Sequence, residues 1–581
     1  MKIIGINAFH ADSSACILVD GKLIAAVEEE RFNRIKHWAG FPIESIKYCL
    51  EETNLTISDI DQISINIDPK ANYLKKIFFL LKHRPSLNLI LRRLKKKKKY
   101  KSIGEIINLE FNKEKFKGKI NNIEHHYAHL SSAFHVSPYD EACVLSVDGF
   151  GDFASTAWGY GTNTDIRIEN KIYFPHSLGI FYQALTQFLG FKNYGDEYKI
   201  MGLAPYGKPK YVEKLRDVIL IKNKGNFELN LDYFKFHKED FNYRWDDGRI
   251  EIEDLYTKKI LELLGPEREK DEPLNDFHRD IAHSTQKIYE EVFINILNNL
   301  YDKYQNKNLC IAGGCGMNSV ANGKIKNNTK FENIYIQAAA GDAGGAIGAA
   351  YATYFQNKNV ERKFQMRHAY LGTSFNEIQI LDCLKNNQEK IENQKCNYSK
   401  VSNNNELSKI VAKDISEGKV IGWFQGKMEW GPRALGNRSI LGDPRRSDMK
   451  DILNLKIKRR ESFRPFAPSI LREHVSEWFE NDDEVPFMMK VYQIKENKRA
   501  EIPAVTHIDG SGRLQTVYKE TNKKYHDLIN EFYKLTNIPI LLNTSFNENE
   551  PIVSKPEEAL DCFLRTKMDT LVMGNYIIKR S

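Results

Sequence analysis

The stretch Ile3-Ile4-Gly5-Ile6-Asn7-Ala8, followed by Phe9-His10-Ala11-Asp12-Ser13-Ser14 and then Ala15-Cys16-Ile17-Leu18-Val19-Asp20-Gly21, decides the fold. The first run is short, apolar and flanked by polar residues, which predicts a buried strand. A polar turn follows, and a second apolar run begins at Ala15. Asp20-Gly21 then separates that run from Leu23-Ile24-Ala25-Ala26-Val27, a tight hairpin signal because the turn needs positive φ. The region 42–52 reads as a helix. The same unit recurs downstream. Cys143-Val144-Leu145-Ser146-Val147 predicts a strand, Asp148-Gly149-Phe150-Gly151-Asp152 a polar turn, and Ser155 to Gly161 a returning strand. Two copies of one strand–turn–strand unit predict a duplicated α/β domain.

Glycine-rich loops follow two further strands. Leu309 to Ala312 runs into Gly313-Gly314-Cys315-Gly316-Met317-Asn318, and Ile334 to Ala340 runs into Gly341-Asp342-Ala343-Gly344-Gly345-Ala346. Glycines between a strand and a helix let backbone N–H groups approach a phosphate or ribose closely, and they also permit tight helix–strand packing. Neither loop has Walker or Rossmann spacing. The polar stretch from about Gln356 to Arg367 predicts a boundary between domains 1–360 and 361–581. The second of these has its own strand at Val420 to Phe424.

Bulk properties fit this plan. The chain has 581 residues, 41% hydrophobic and 28% charged, too long for one ordinary core. The eight cysteines form no Cys-x-x-Cys pair, which predicts a reduced, cytoplasmic chain without a disulfide framework. There is no eighteen-residue apolar run and no signal-peptide pattern at the N-terminus. The net charge of +8 is concentrated. From Lys70 to Lys119 there are 17 Lys/Arg against 3 Glu, so the rest of the chain is net negative. That segment reads as a solvated insertion or as a patch for a polyanion such as RNA, anionic lipid or a phosphorylated carrier.

Three constellations carry chemistry. In Glu124-His125-His126-Tyr127-Ala128-His129, a helix would stack His125 and His129 on one face, a spacing that suits metal ligation. Asp148 and Asp342, each at a sharp turn after a strand, complete a two-His, two-Asp set suited to iron, manganese or zinc. The second constellation is cationic. Gly431-Pro432-Arg433-Ala434-Leu435-Gly436-Asn437-Arg438-Ser439 reads as a loop opening a helix, and Lys456-Ile457-Lys458-Arg459-Arg460-Glu461-Ser462-Phe463-Arg464-Pro465-Phe466 is denser still. Cations fixed by interspersed Phe and Pro are what binding several phosphates requires. The third is a strand, Leu541-Leu542-Asn543, that ends in Thr544-Ser545-Phe546-Asn547.

These residues resemble the NodU/CmcH O-carbamoyltransferases along essentially the whole chain. The resemblance rests on Gly5-Ile6-Asn7 with His10 and Asp12, on the His125/His129 motif, on Ser146-Val147-Asp148-Gly149 and Lys199 to Gly207, and on both glycine loops. It also rests on Glu429 to Gly436, Glu461 to Pro468 and Asn543 to Asn547. It implies an α/β protein with an N-terminal duplicated actin-like (ASKHA) domain and a YrdC-like second domain. The second would make carbamoyl adenylate from carbamoyl phosphate and ATP with Mg2+. The first would pass the carbamoyl group to a hydroxyl of a small molecule or sugar at an Fe(II) or other divalent-metal site. The implied ligands are His125, His129, Asp148 and Asp342. Gly313, Gly314, Asn318 and Gly341 would meet the adenylate. Lys458, Arg460, Ser545 and Asn547 would bind and activate carbamoyl phosphate and ATP, with Arg433, Arg464 and Arg513 as further phosphate ligands. His10 and Asp12 would serve the acceptor end. A polyanion met through 70–119 and a second copy of the chain are further expected partners. The alternatives are a tRNA-threonylcarbamoylation-type enzyme and a non-catalytic nucleotide-binding protein.

Overall fold

The computed structural model describes residues 1–83, 103–111, 114–238, 243–244, 250–357 and 360–580, so the run Arg92 to Lys99 lies outside the described residues. Two compact units are present. One comprises Met1–Glu30, Ile35–Ala321 and Ile325–Met366; the other comprises Arg31–Arg34, Asn322–Lys324 and Arg367–Ser581.

The first unit is built on strands β1 (Lys2–Asn7), β2 (Ser14–Val19), β3 (Lys22–Glu28), β4 (Gln62–Ile65) and β5 (Lys119–Asn122). They form a sheet in the order β3-β2-β1-β4-β5, antiparallel from β1 to β3 and parallel from β1 to β5. Strands β6 (Glu141–Gly151), β7 (Ala154–Thr162), β8 (Asp165–Tyr173), β9 (Asn308–Ala312) and β10 (Asn333–Ile336) form a second sheet in the order β10-β9-β6-β7-β8. Its directions repeat the first: antiparallel through β6, β7 and β8, parallel through β6, β9 and β10. The duplication read from the two strand–turn–strand units is therefore present. The strand expected over 334–340 stops at Ile336, and the chain continues into the glycine turn.

Helices α1 (Ile43–Thr53), α2 (Tyr73–His83), α3 (His125–Phe134), α4 (Asp276–Tyr304), α5 (Ser319–Asn328) and α6 (Gly345–Tyr354) accompany these sheets. α6 is buried along its whole length because it is made of Gly, Ala, Ile, Thr and Tyr with no charge. It crosses α3 so closely that a Cβ on Gly348 would meet the Ala128 carbonyl oxygen at 1.7 Å. α1 starts where Glu29 accepts the backbone N–H groups of Glu44 and Ser45, which satisfies two first-turn donors.

The second unit is a nine-stranded mixed sheet. Its strands are β11 (Cys396–Lys400), β12 (Ile421–Phe424), β13 (Arg438–Gly442), β14 (Ala467–Leu471), β15 (Lys490–Gln493), β16 (Ser511–Val517), β17 (Ile540–Ser545), β18 (Thr570–Met573) and β19 (Tyr576–Arg580). Their spatial order is β11-β19-β18-β12-β13-β17-β14-β16-β15. The sequence around Arg433 to Ser439 was expected to open a helix; instead it leads into β13. The physical reason is local. Gly431 and Gly436 sit at φ 98° and 104°, which turns the chain, and the Ser-Ile-Leu run that follows pairs with β12 and β17. Arg438 is thus a buried structural cation. It donates to the carbonyls of Gln425, Thr373, Asn437 and Gly426 and stacks 3.7 Å from the Phe424 ring centroid.

All eight cysteines are free. Among the described residues, no helix is long and apolar enough to cross a membrane.

Candidate active site

In the first unit, α3 carries His125 and His129 on one buried face, as the i, i+4 spacing requires. Glu124 caps the helix by accepting the Tyr127 N–H at 2.8 Å, and Asp152 accepts the His125 N–H at 2.9 Å. Gly151 is needed beside them: a Cβ there would stand 2.0 Å from the His125 ring. Asp148, on β6, projects its Oδ2 to 3.1 Å from His125 Nε2 and 2.9 Å from His129 Nε2. The two Nε2 atoms are 3.0 Å apart. Asp342, in the turn before α6, brings its Oδ1 to 3.5 Å from both.

These distances test whether the residues fit a metal. Three donors on one face of an octahedron with bonds of about 2.1 Å are mutually about 3.0 Å apart. The His125, His129 and Asp148 donors form a triangle of that size, and Asp342 adds a fourth. Asp342 Oδ1 is buried and makes no hydrogen bond among the described residues. The four groups fit a divalent cation, and nitrogen and carboxylate donors together suit iron, manganese or zinc.

Without a cation these groups share protons. Burial opposes a charge on His129, but its hydrogen bond to Asp148 and the negative charges of Asp148 and Asp342 outweigh burial and raise its pKa to about 9. Burial works the other way on Asp148, yet the two histidines hold it well below the usual carboxylate range. His126, one residue along, faces Ser146 instead; burial holds it neutral, with a pKa lowered to about 3.

The glycine loops join this site. The Gly149 and Gly314 N–H groups donate to Asp148 Oδ1 at 2.8 and 3.2 Å, which fixes the carboxylate. Gly313 has φ 88° and packs against the Val147 carbonyl, so its lack of a side chain serves the turn itself. Gly341 stands directly before Asp342. Asn318 is committed to structure: its Oδ1 accepts the Ala321 N–H at the start of α5, and its amide exchanges hydrogen bonds with Gln286.

His10 and Asp12, expected at the acceptor end, lie in the β1–β2 turn. The His10 ring stacks 5.3 Å from that of His125, and its Nδ1 is 3.8 Å from Asp342. Asp12 has φ 55°, a conformation few residues adopt without cause, and Asn7 braces it by donating to the Ala11 and Asp12 carbonyls. Asp12 Oδ1 meets His37 Nδ1 at 2.8 Å, and Glu30 accepts the His37 N–H at 2.8 Å. Burial alone would discharge His37, but Asp12 and Glu30 raise its pKa. His37, Glu30 and the nearby Glu197, whose burial raises its pKa to about 7, were not singled out from the sequence. The one signal was the acidic run Glu28-Glu29-Glu30 at the end of β3.

In the second unit, Lys458 follows a six-residue π-helical turn, Ile452–Ile457, a distortion that often marks functional sites. Its ammonium is buried. It donates to the carbonyl of Ser545, to Asn547 O at 2.8 Å and to Asn547 Oδ1 at 2.7 Å, and Ser545 Oγ donates to Asn547 Oδ1 at 2.8 Å. Lys458, Ser545 and Asn547 are thus brought together by β17 and the π turn. Arg460 is held by Asn454 at 2.8 Å and stacks on Phe466. Arg464 pairs with Glu461 at 2.9 Å. Arg513, on β16, has an unbonded buried Nε. Burial, then the charges of Arg433 and Arg460, push its guanidinium well below its usual pKa. His507, missed in the sequence, lies in the same field: burial holds it neutral, with a pKa near 4, and the charges of Arg513 and Lys450 act in the same direction.

Comparison with known proteins agrees with this division. The carbamoyltransferase N-terminus family model matches residues 2–351 and the carbamoyltransferase C-terminus model matches residues 412–580. An uncharacterised protein of Synechocystis is 41% identical over the whole of this chain and 97% of its own. The nodulation protein NolNO of Sinorhizobium fredii is 37% identical over 99% of this chain and 80% of its own. An uncharacterised protein of Methanocaldococcus jannaschii is 31% identical over 100% and 99%. The solved structure of T. kodakarensis HypF aligns at 15% identity and TM-score 0.30, over 61% of this chain and 47% of that one. With both of its parts matched to models of one family, the chain belongs to the carbamoyltransferases.

Proposed function

We propose that this carbamoyltransferase is an ATP-dependent O-carbamoyltransferase that works through carbamoyl adenylate. The observation that carries the proposal is the second unit's cation cluster. Burial and the nearby charges of Arg433 and Arg460 depress the Arg513 guanidinium, and Lys458 is buried among neutral oxygens. Mutual repulsion of this kind costs stability unless an anion is the intended occupant. Carbamoyl phosphate and the triphosphate of Mg2+-ATP supply that anion. In this reading the unit is the YrdC-like half.

The chemistry balances in three steps. Water cleaves carbamoyl phosphate to carbamate and phosphate. A carbamate oxygen attacks the α-phosphorus of ATP, and pyrophosphate leaves with the electron pair of the broken P–O bond. The acceptor hydroxyl then attacks the carbamoyl carbon and AMP departs. Lys458 and the arginines neutralise charge on the phosphates in the first two steps. In the first unit, His125, His129, Asp148 and Asp342 would hold the divalent cation, iron(II) or another, which supplies Lewis-acid polarisation of the carbonyl or phosphoryl oxygen. Asp12 accepts the proton of the acceptor hydroxyl, and His37 is a positioning residue that fixes the Asp12 carboxylate. The acceptor is a small molecule or sugar bearing a hydroxyl.

The test is pyrophosphate release from ATP by the purified protein, with and without carbamoyl phosphate. Release that requires carbamoyl phosphate is the expected result. No release with both substrates and Mg2+ present would remove the adenylate mechanism.

A further inference from the structure

α2 carries the inference. Phe79 is its buried anchor, packed edge-on against Phe153 and Phe174 at 5.7 and 4.9 Å. At 100° per residue, Leu80, Tyr73, Ile77, Leu81, Leu74 and Phe78 fall on one continuous arc of about 160° whose centre lies opposite Phe79. That arc is open to solvent: Leu74 is 80% exposed, Leu81 73% and Phe78 63%. A soluble helix with one anchored face shows polar residues on the other; this one shows leucine and phenylalanine. Lys82 and Lys75 stand at the edge of the arc, between it and Phe79; Lys82 is exposed, and the Lys75 ammonium lies over the Tyr173 ring, 4.9 Å from its centroid.

We propose that α2 is an interfacial helix that seats this protein on an anionic lipid surface. The charge selects the occupant. Lys75 and Lys82 rim the arc, and the sequence that continues from 84 to 101 holds nine Lys/Arg and no Asp or Glu. An apolar stripe with a basic edge is the pattern that inserts at the boundary between lipid headgroups and acyl chains, and neighbouring cations add attraction to anionic headgroups. Apolar insertion and basic charge are the two signals that reversible membrane attachment needs. A nucleic acid satisfies the cations but leaves the exposed Leu74, Phe78, Leu80 and Leu81 facing water. A second copy of the chain would cover the leucines but would oppose lysine to lysine. The helix lies outside both sites described above, so attachment leaves the transfer chemistry in place.

The experiment is co-sedimentation of the full chain with phosphatidylcholine vesicles, with and without phosphatidylserine, at low and high salt. Binding is expected only with phosphatidylserine, weakened by salt. A variant with Leu74→Ser, Phe78→Ser and Leu81→Ser is expected to bind at least about tenfold more weakly, with an unchanged unfolding temperature because all three side chains are exposed. Lys75→Gln with Lys82→Gln is expected to weaken binding to phosphatidylserine vesicles severalfold. Three results would each overturn the proposal: no binding to phosphatidylserine vesicles, equal binding by the serine variant, or binding to RNA in place of vesicles.

Discussion

Replacing Lys458 with Met tests the second unit most sharply. The substitution keeps the length and apolar stem of the side chain and removes three donors. Asn547 Oδ1 keeps the Ser545 hydroxyl as a partner and the Ser545 carbonyl keeps the Asn547 N–H, so the acceptor that loses its donor is the Asn547 carbonyl. A buried acceptor stripped of a charged donor costs about 1–3 kcal/mol, which is the loss expected of the variant. For a unit of this size that lowers its unfolding temperature by roughly 2–12 °C. Pyrophosphate release, assayed well below that temperature, is expected to fall by at least about a thousandfold, because the ammonium that neutralises the phosphates is gone. Calorimetry and a pyrophosphate assay on one preparation separate the two effects. Unchanged stability would refute the hydrogen-bond arrangement; near-normal pyrophosphate release from a folded Lys458→Met variant would refute the catalytic assignment.

Other outcomes follow from the same geometry. His129→Ala removes a donor from the His–Asp triangle and is expected to bring bound metal, read by mass spectrometry of the purified protein, from about one per chain to below a tenth, with the second unit still releasing pyrophosphate. Arg513→Gln relieves the repulsion from Arg433 and Arg460, so the ligand-free variant is expected to be more stable while its affinity for carbamoyl phosphate drops at least about tenfold; calorimetric binding that stays unchanged would contradict the cluster's role. His135 is buried, donates to the Thr164 carbonyl and is held neutral chiefly by burial, with a pKa lowered to about 3. Its folded pKa lies below its unfolded value of about 6.5, so the unfolded chain binds the extra proton and stability is lost as pH falls from about 6.5 toward 3, by about 1 kcal/mol between pH 6 and pH 5. Urea titrations at those two pH values show that loss in the native protein; a His135→Gln variant with the same loss would assign it elsewhere.

The duplicated first domain was legible because its signal is local. An apolar run, a polar turn and an Asp-Gly hairpin occur close together, and the same pattern recurs at 143–161; both copies became β1–β2–β3 and β6–β7 in the structure. His125 and His129 were legible for the same reason, since i, i+4 spacing on a helix fixes which way two side chains point. The region from Gly431 was misread because glycine, proline and arginine before Ala-Leu fit a helix start as well as a turn. Pairing with β12 and β17, distant in sequence, made it a strand.

By itself, then, the sequence determined the repeated units, the His125/His129 pair and the cation-rich segments, because each depends on neighbours along the chain. Only the tertiary structure decided which of them meet. It brought Asp342 to two histidines more than two hundred residues earlier, paired His37 with Asp12, and set Arg513 against Arg433 and Arg460. It also committed Arg438 to backbone carbonyls, so its charge is spent inside the fold. The physical reason is that burial and electrostatic field depend on what long-range packing places within a few ångströms, and no local pattern carries that information.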